Sequence, residues 1–265
     1  MKPILLGYDA RGRPVRLRPK DRRIHAHVIV ASGSGKSKLL EHLMREDIQN
    51  LQGFCLIDPH GTLYNDVLNH CAHHVLKRDI ILLNPSKSEG PIIGFNPFQK
   101  SPDGNVSVQV DRRIIATMHA WGVDNADETP TLARMLRLIY TVMIEKNLGL
   151  PQVQHLIDFN AREVRGYLIG NLSQPQIERE WRELQGLKTK EWRDETLSTK
   201  NRLFKFLTSK SLCRFMGVPG RTLDLKEAMD QGKVLLVNLA SSPDFSHENA
   251  RTFGGSTDYL YTAGV

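Results

Sequence analysis

The residues best suited to chemistry are concentrated in Val30-Ala31-Ser32-Gly33-Ser34-Gly35-Lys36-Ser37. They follow a short apolar run, Ala26 to Val30, and open a segment, Lys36 to Gln49, whose Leu39, Leu40, Leu43 and Ile48 recur at helical spacing. A strand, a glycine-rich turn and a helix start are what a phosphate-binding loop requires. The glycines let backbone N–H groups close around phosphate oxygens, and the helix N-terminus adds partial positive charge. In that geometry Lys36 reaches the β- and γ-phosphates of a nucleotide and the Ser37 hydroxyl coordinates Mg²⁺. Ser32, Gly33, Ser34, Gly35, Lys36, Ser37 and Lys38 are therefore the candidate nucleotide-binding residues. The full pattern has glycine at position 30, where this chain has Val30. A β-branched residue tolerates positive φ badly, so a reshaped loop entrance and weaker nucleotide affinity are expected. The bland alternative is a Ser/Gly turn carrying a solvated lysine.

A second group of polar residues ends the run Gly53-Phe54-Cys55-Leu56-Ile57-Asp58-Pro59-His60-Gly61, which reads as a buried parallel strand. Ligand crevices of α/β sheets lie beyond strand carboxyl ends, which puts Asp58 and His60 near the nucleotide. Asp58 has two open roles: to orient Mg²⁺-bound water or a substrate-facing loop, or to cap the following helix. His60 likewise contacts phosphate or caps the turn. On that helix His70 and His74 stand four apart with Cys71 and His73 beside them. No second ligand pair lies nearby to complete a tetrahedral zinc set, so surface histidines are the expected reading.

These groups need elements to hold them. The 265 residues, 40% hydrophobic and 25% charged, suffice for one large domain or two modest ones. Residues 2–20 read as a hairpin, with Ile4-Leu5-Leu6 and Val15-Arg16-Leu17 joined by turn chemistry at 9–14. Its many arginines fit either a solvated ribbon or a nucleic-acid contact. A helix is expected over Thr62 to Leu76 and a strand over Asp79 to Pro85. A short strand with a proline turn follows over Ile92 to Phe98. From about residue 105 helical spacing dominates: Val106 to Trp121, Thr131 to Glu145, Val153 to Ile169, Gln176 to Leu187 and Thr196 to Met216. The mixed charges of 178–195 predict a largely solvated stretch, and Trp181 and Trp192 either stack on bases or dock on neighbouring helices. Gly232 to Leu239 reads as another buried strand, and a last helix runs from Glu248 to Tyr261. The formal charge of +7 fits contact with nucleic acid or an anionic membrane face. No apolar run approaches a membrane span, and Cys55, Cys71 and Cys213 read as reduced thiols of a cytosolic protein.

Together the phosphate loop, the Leu-Ile-Asp-Pro-His-Gly strand end, the Gly-Phe-Asn-Pro turn and the Val-Leu-Leu-Val-Asn-Leu-Ala strand resemble those of the conjugative coupling-protein ATPases of type IV secretion. Their relatives are the HerA/FtsK-like DNA-pumping motors. The resemblance implies an α/β fold: a RecA-like P-loop core with a mostly parallel sheet and an inserted all-α subdomain. The N-terminal hairpin and first half of the core would span 1–104, the helical insertion 105–225, and the return to the core 226–265. It also implies a hexameric ring that binds ATP and Mg²⁺ between subunits and draws DNA through a central channel, in the cytoplasm or at the inner membrane through secretion-system partners. Lys36 and Asp58 carry over as catalytic residues, and Ser37 with Asp58 as the magnesium residues. The family's acidic Walker B strand, glutamine sensor and arginine finger follow the helix with which the sequence stops, so an incomplete motor domain is expected. A non-hydrolysing, nucleotide-binding module of a secretion or partition machine is the alternative, with a small-molecule kinase third.

Overall fold

The computed structural model describes residues 2–24, 27–31, 33–74, 79–87, 89–101, 104–123, 129–219, 222–242, 245–246 and 250. The chain forms two compact units. The first holds Met1–Leu83 and Leu225–Asn238; the second holds Asn84–Asp224 and Leu239–Val265.

The first unit begins with an antiparallel hairpin, β1 (Ile4–Tyr8) and β2 (Pro14–Leu17). Helix α1 (Lys36–Gln49) leads to β3 (Phe54–Asp58), α2 (Thr62–His73) and β4 (Ile80–Leu83). After the first segment of the second unit the chain returns through α10 (Leu225–Asp230) to β5 (Val234–Asn238), which joins the sheet. Its order is β3-β5-β4, and both pairings are parallel. The central strand Val-Leu-Leu-Val-Asn is buried at every residue, as a continuous apolar run demands. One face of the sheet packs Leu56, Val234 and Leu236 against Met44 and Ile48 of α1 and Leu63, Tyr64, Val67 and Cys71 of α2. Entry to β3 and to β5 is a close crossing of two glycines. A Cβ on Gly53 would lie 2.6 Å from the backbone of Gly232.

The run before the loop does not form a strand. His27–Val30 is unpaired among the described residues, with Ile29 82% exposed. An apolar run becomes a strand only when a neighbour supplies its hydrogen bonds, and β3, β5 and β4 pair with one another instead.

The second unit is built on α3 (Val106–Ala120) and α4 (Pro130–Glu145), α4 burying ten of its residues. Around them stand α5 (Val153–Ile157), α6 (Arg162–Ile169), α7 (Pro175–Gly186), α8 (Thr189–Leu207) and α9 (Lys210–Met216). Three expectations are corrected here. The segment 153–169 is two helices, because the Asp158 carboxylate accepts the Asn160 amide at 3.0 Å and breaks the ladder. The last long helix starts earlier, at Thr189, and ends at Leu207; Ser209 then caps α9 through the Leu212 amide. Residues 92–98 form no strand. Asn96 instead pins a loop, donating to the Leu148 carbonyl at 3.1 Å and accepting the Phe98 amide at 2.9 Å. Within the mixed-charge stretch Trp181 and Trp192 are buried, their indole N–H groups donating to the carbonyls of Leu138 and Ile157. Almost all of the expected final helix, 248–261, lies outside the described residues.

Candidate functional site

The loop before α1 is shaped by two glycines in the left-handed region, Gly33 at φ +79° and Gly35 at φ +93°. Any L side chain would be strained at either position. Between them Ser34 folds back, its N–H and hydroxyl donating to the Ala31 carbonyl at 3.2 and 2.6 Å. Gly35 is the cap of α1, and its carbonyl accepts the Leu39 amide at 2.9 Å. The N–H groups of Lys36, Ser37 and Lys38 therefore sit in the first turn, where no intrahelical acceptor exists. Residues 33–38 are all exposed. Val30 does not adopt positive φ, so the steric objection to valine does not arise in this conformation. Ser32, an expected member of the cradle, lies outside the described residues.

Lys36 and Ser37 thus open a helix whose amides face solvent, which suits an anion. Lys38 is directed elsewhere. Its amine pairs with Glu41 at 2.7 Å and with Asp66 of α2 at 3.0 Å, and these two carboxylates raise its pKa above the ordinary lysine value. Glu41 is buried and also takes Arg45, so one carboxylate draws two cations of α1 to the α2 side. The Lys38–Glu41 spacing of three is a visible helix-pair signal; Asp66, twenty-eight residues on, carries none.

At the carboxyl end of β3, Asp58 stands beside Asn238 of β5 in register. Asp58 is buried, and both its oxygens accept backbone amides: Oδ1 from His60 at 3.0 Å and Oδ2 from Tyr64 at 2.9 Å. The carboxylate caps the turn into α2. Each oxygen keeps a second lone pair, so a further contact is chemically open to it. His60 is exposed, with its amide rather than its ring engaged.

On the α1–α2 surface, Lys38, Glu41, Arg45, Asp66, His70 and His74 line an open polar cleft of about 360 Å³. The His70 and His74 rings lie 4.1 Å apart. His70 Nε2 is buried without a hydrogen-bond partner, and desolvation, then the charges of His74 and Arg45, lower its pKa. Cys71 faces the core. Among the described residues no group of three or more His, Cys, Asp or Glu could hold a metal ion, and no helix is long and apolar enough to cross a membrane.

No protein-family model matches the chain, and no curated protein matches it. Among solved structures, it is similar to the bacterial conjugative coupling protein TrwBΔN70 in its unbound monoclinic form, with a TM-score of 0.57 and 13% identity. The match covers 88% of this chain and 50% of that one, so the chain spans about half the length of the structure it matches. At that identity the likeness is one of fold: this chain has a fold like that of a conjugative coupling protein.

Proposed function

We propose that the chain is the nucleotide-binding part of an ATP-driven, DNA-moving motor of the coupling-protein kind, with a RecA-like core interrupted by a helical insertion. The observation that carries this is the pair of left-handed glycines that sets Lys36 and Ser37 at the open start of α1. In this reading the first-turn amides and Lys36 hold the phosphates of ATP, Ser37 is the Mg²⁺ ligand, and Asp58 meets the metal's water through its spare lone pairs. Gly33, Ser34 and Gly35 shape the cradle, Ser32 is counted with the same nucleotide-binding set, and Lys38 of α1 braces it through its pair with Asp66 of α2. Bound Mg²⁺ would neutralise charge on the phosphates. A ring of copies around DNA, docked on secretion-system partners at a membrane, belongs to the same proposal.

Calorimetry with Mg²⁺-ATP tests it: Lys36→Ala should abolish measurable uptake while leaving the unfolding curve unchanged, since the Lys36 side chain is exposed. Uptake that survives Lys36→Ala refutes the site.

One observation favours a second reading, a nucleotide-binding module that does not hydrolyse ATP. The central strand β5 ends in Asn238, followed by Leu239 and Ala240, and Asp58 spends both its oxygens on capping. No second carboxylate stands at the end of β5 to share with Asp58 the work of orienting water. ATP turnover with and without DNA separates the two: retained binding with no turnover selects the module.

A further inference from the structure

We infer that the β1–β2 hairpin and the turn after it are a binding surface for single-stranded nucleic acid. This names a surface for the DNA partner proposed above, but it stands on residues outside the phosphate loop, so the two readings fail separately.

The first observation is charge. Residues 2–23 hold eight Lys or Arg against two Asp, an excess of six in a chain whose total is +7. The acidic residues are already spent. Asp9 takes Arg13 at 2.8 Å, Asp21 takes Arg18 at 2.9 Å, and Asp47 of α1 clamps Arg22 at 2.5 and 2.6 Å. Lys2, Arg11, Arg16 and Arg23 remain, all exposed, with no carboxylate partner among the described residues.

The second is stiffness. Asp9 also accepts the amides of Arg11 and Arg13 at 2.8 and 2.9 Å, and Gly12, at φ +72°, closes the turn onto the Asp9 carbonyl. The tip therefore presents Arg11 from a fixed backbone, which lowers the ordering cost of binding.

The third is an aromatic in the right place. The register pairs Leu5 with Arg16 and Tyr8 with Pro14, across a bulge at Leu6. By strand alternation Leu5, Tyr8, Pro14 and Arg16 share one face, opposite the face that carries buried Ile4. Tyr8 is 68% exposed there. An exposed ring beside a free arginine gives a base something to stack on and its phosphate something to pair with. An anionic membrane would call for apolar side chains at the tip, which instead reads Asp9-Ala10-Arg11-Gly12-Arg13.

The experiment is fluorescence anisotropy of the full chain with a labelled oligothymidylate of roughly 20 nucleotides, a site size that an electrostatic groove can track. The wild type should bind with a salt-dependent affinity. Arg11→Gln with Arg16→Gln should flatten the log K against log salt slope by about 1.4, or about 0.7 per lost phosphate contact. Tyr8→Ala should weaken binding at least about fivefold. Lys36→Ala should leave it intact. Hydrogen exchange on the wild type gives a readout free of folding effects: the oligonucleotide should protect residues 4–17. An unchanged slope in the double arginine variant, protection elsewhere, or uptake by phosphatidylserine vesicles with none of the oligonucleotide would each overturn the inference.

Discussion

Asp58 Oδ2 accepts the amide of Tyr64 at 2.9 Å, fastening the carboxyl end of β3 to the first turn of α2. Because Oδ1 holds the His60 amide at the same time, the turn between strand and helix is closed from one buried side chain. Removing the side chain orphans two donors. Asp58→Ala should lower stability by about 2 kcal/mol, the upper end for a lost cap, and Asp58→Asn by about half of that, since its amide keeps one acceptor. Urea denaturation of the two variants measures both. A neutral Asp58→Ala would mean that the cap does not hold the turn.

The glycine crossing makes a steric prediction. Gly53→Ala places a methyl group 2.6 Å from Gly232 backbone atoms, which cannot rotate away as a side chain would. The entries to β3 and β5 must then separate, at about 1–3 kcal/mol, typical of overpacking. The midpoint of denaturant unfolding should fall. Gly186→Ala, where no atom lies within 4 Å of the added Cβ, is the control and should change it little.

His70 predicts a pH dependence. Desolvation is the first cause that lowers its pKa in the fold, so the unfolded chain takes up a proton more readily than the folded one. A depressed histidine contributes stability that is present above its unfolded pKa of about 6.5 and is lost as pH falls from there toward the folded value. Thermal unfolding between pH 8 and pH 5 should show that loss, and His70→Gln should flatten the curve over the same interval.

Arg165 is a fully buried cation of the second unit. Its Nη1 donates to the Asp158 carbonyl at 2.6 Å and its guanidinium lies 4.2 Å from the Trp192 ring centre, yet Nε and Nη2 have no partner. Burial pulls its pKa down to about 10. Replacing a buried ion by an apolar group of similar volume is often neutral or favourable. Arg165→Met should therefore stay within about 1 kcal/mol of wild type or exceed it. Arg165→Ala should destabilise by about 2 kcal/mol or more through the cavity beside Trp192. Paired denaturation curves decide it.

How far the residues alone disclose this architecture depends on whether the deciding partner is near in sequence. Leu39, Leu40, Leu43 and Ile48 write α1 into the chain because helix contacts are local. Val234–Asn238 is legible because a strand buried on both faces has no polar side to alternate, and Phe54–Asp58, half-buried at its first four residues, carries the same continuous apolar run. The run before the loop has the same chemistry and a different fate, since pairing is decided by which strands find one another. The break at Asp158 carried a signal, an Asp-Phe-Asn turn, that apolar spacing overrode. In the candidate site the glycines are legible from local φ demands alone. That Lys38 reaches across to Asp66 depends on how α1 and α2 register, and no spacing within either helix contains that.

The sheet order has a bearing on synthesis. β5 lies between β3 and β4, yet roughly 150 residues separate Leu83 from Val234, so both outer strands emerge from the ribosome long before the strand that joins them. Until then they have no ladder, while the helices of 106–216 can assemble from short-range contacts. The nascent chain therefore carries two unsatisfied apolar strands through most of translation, a window in which chaperone capture or misassembly competes with folding.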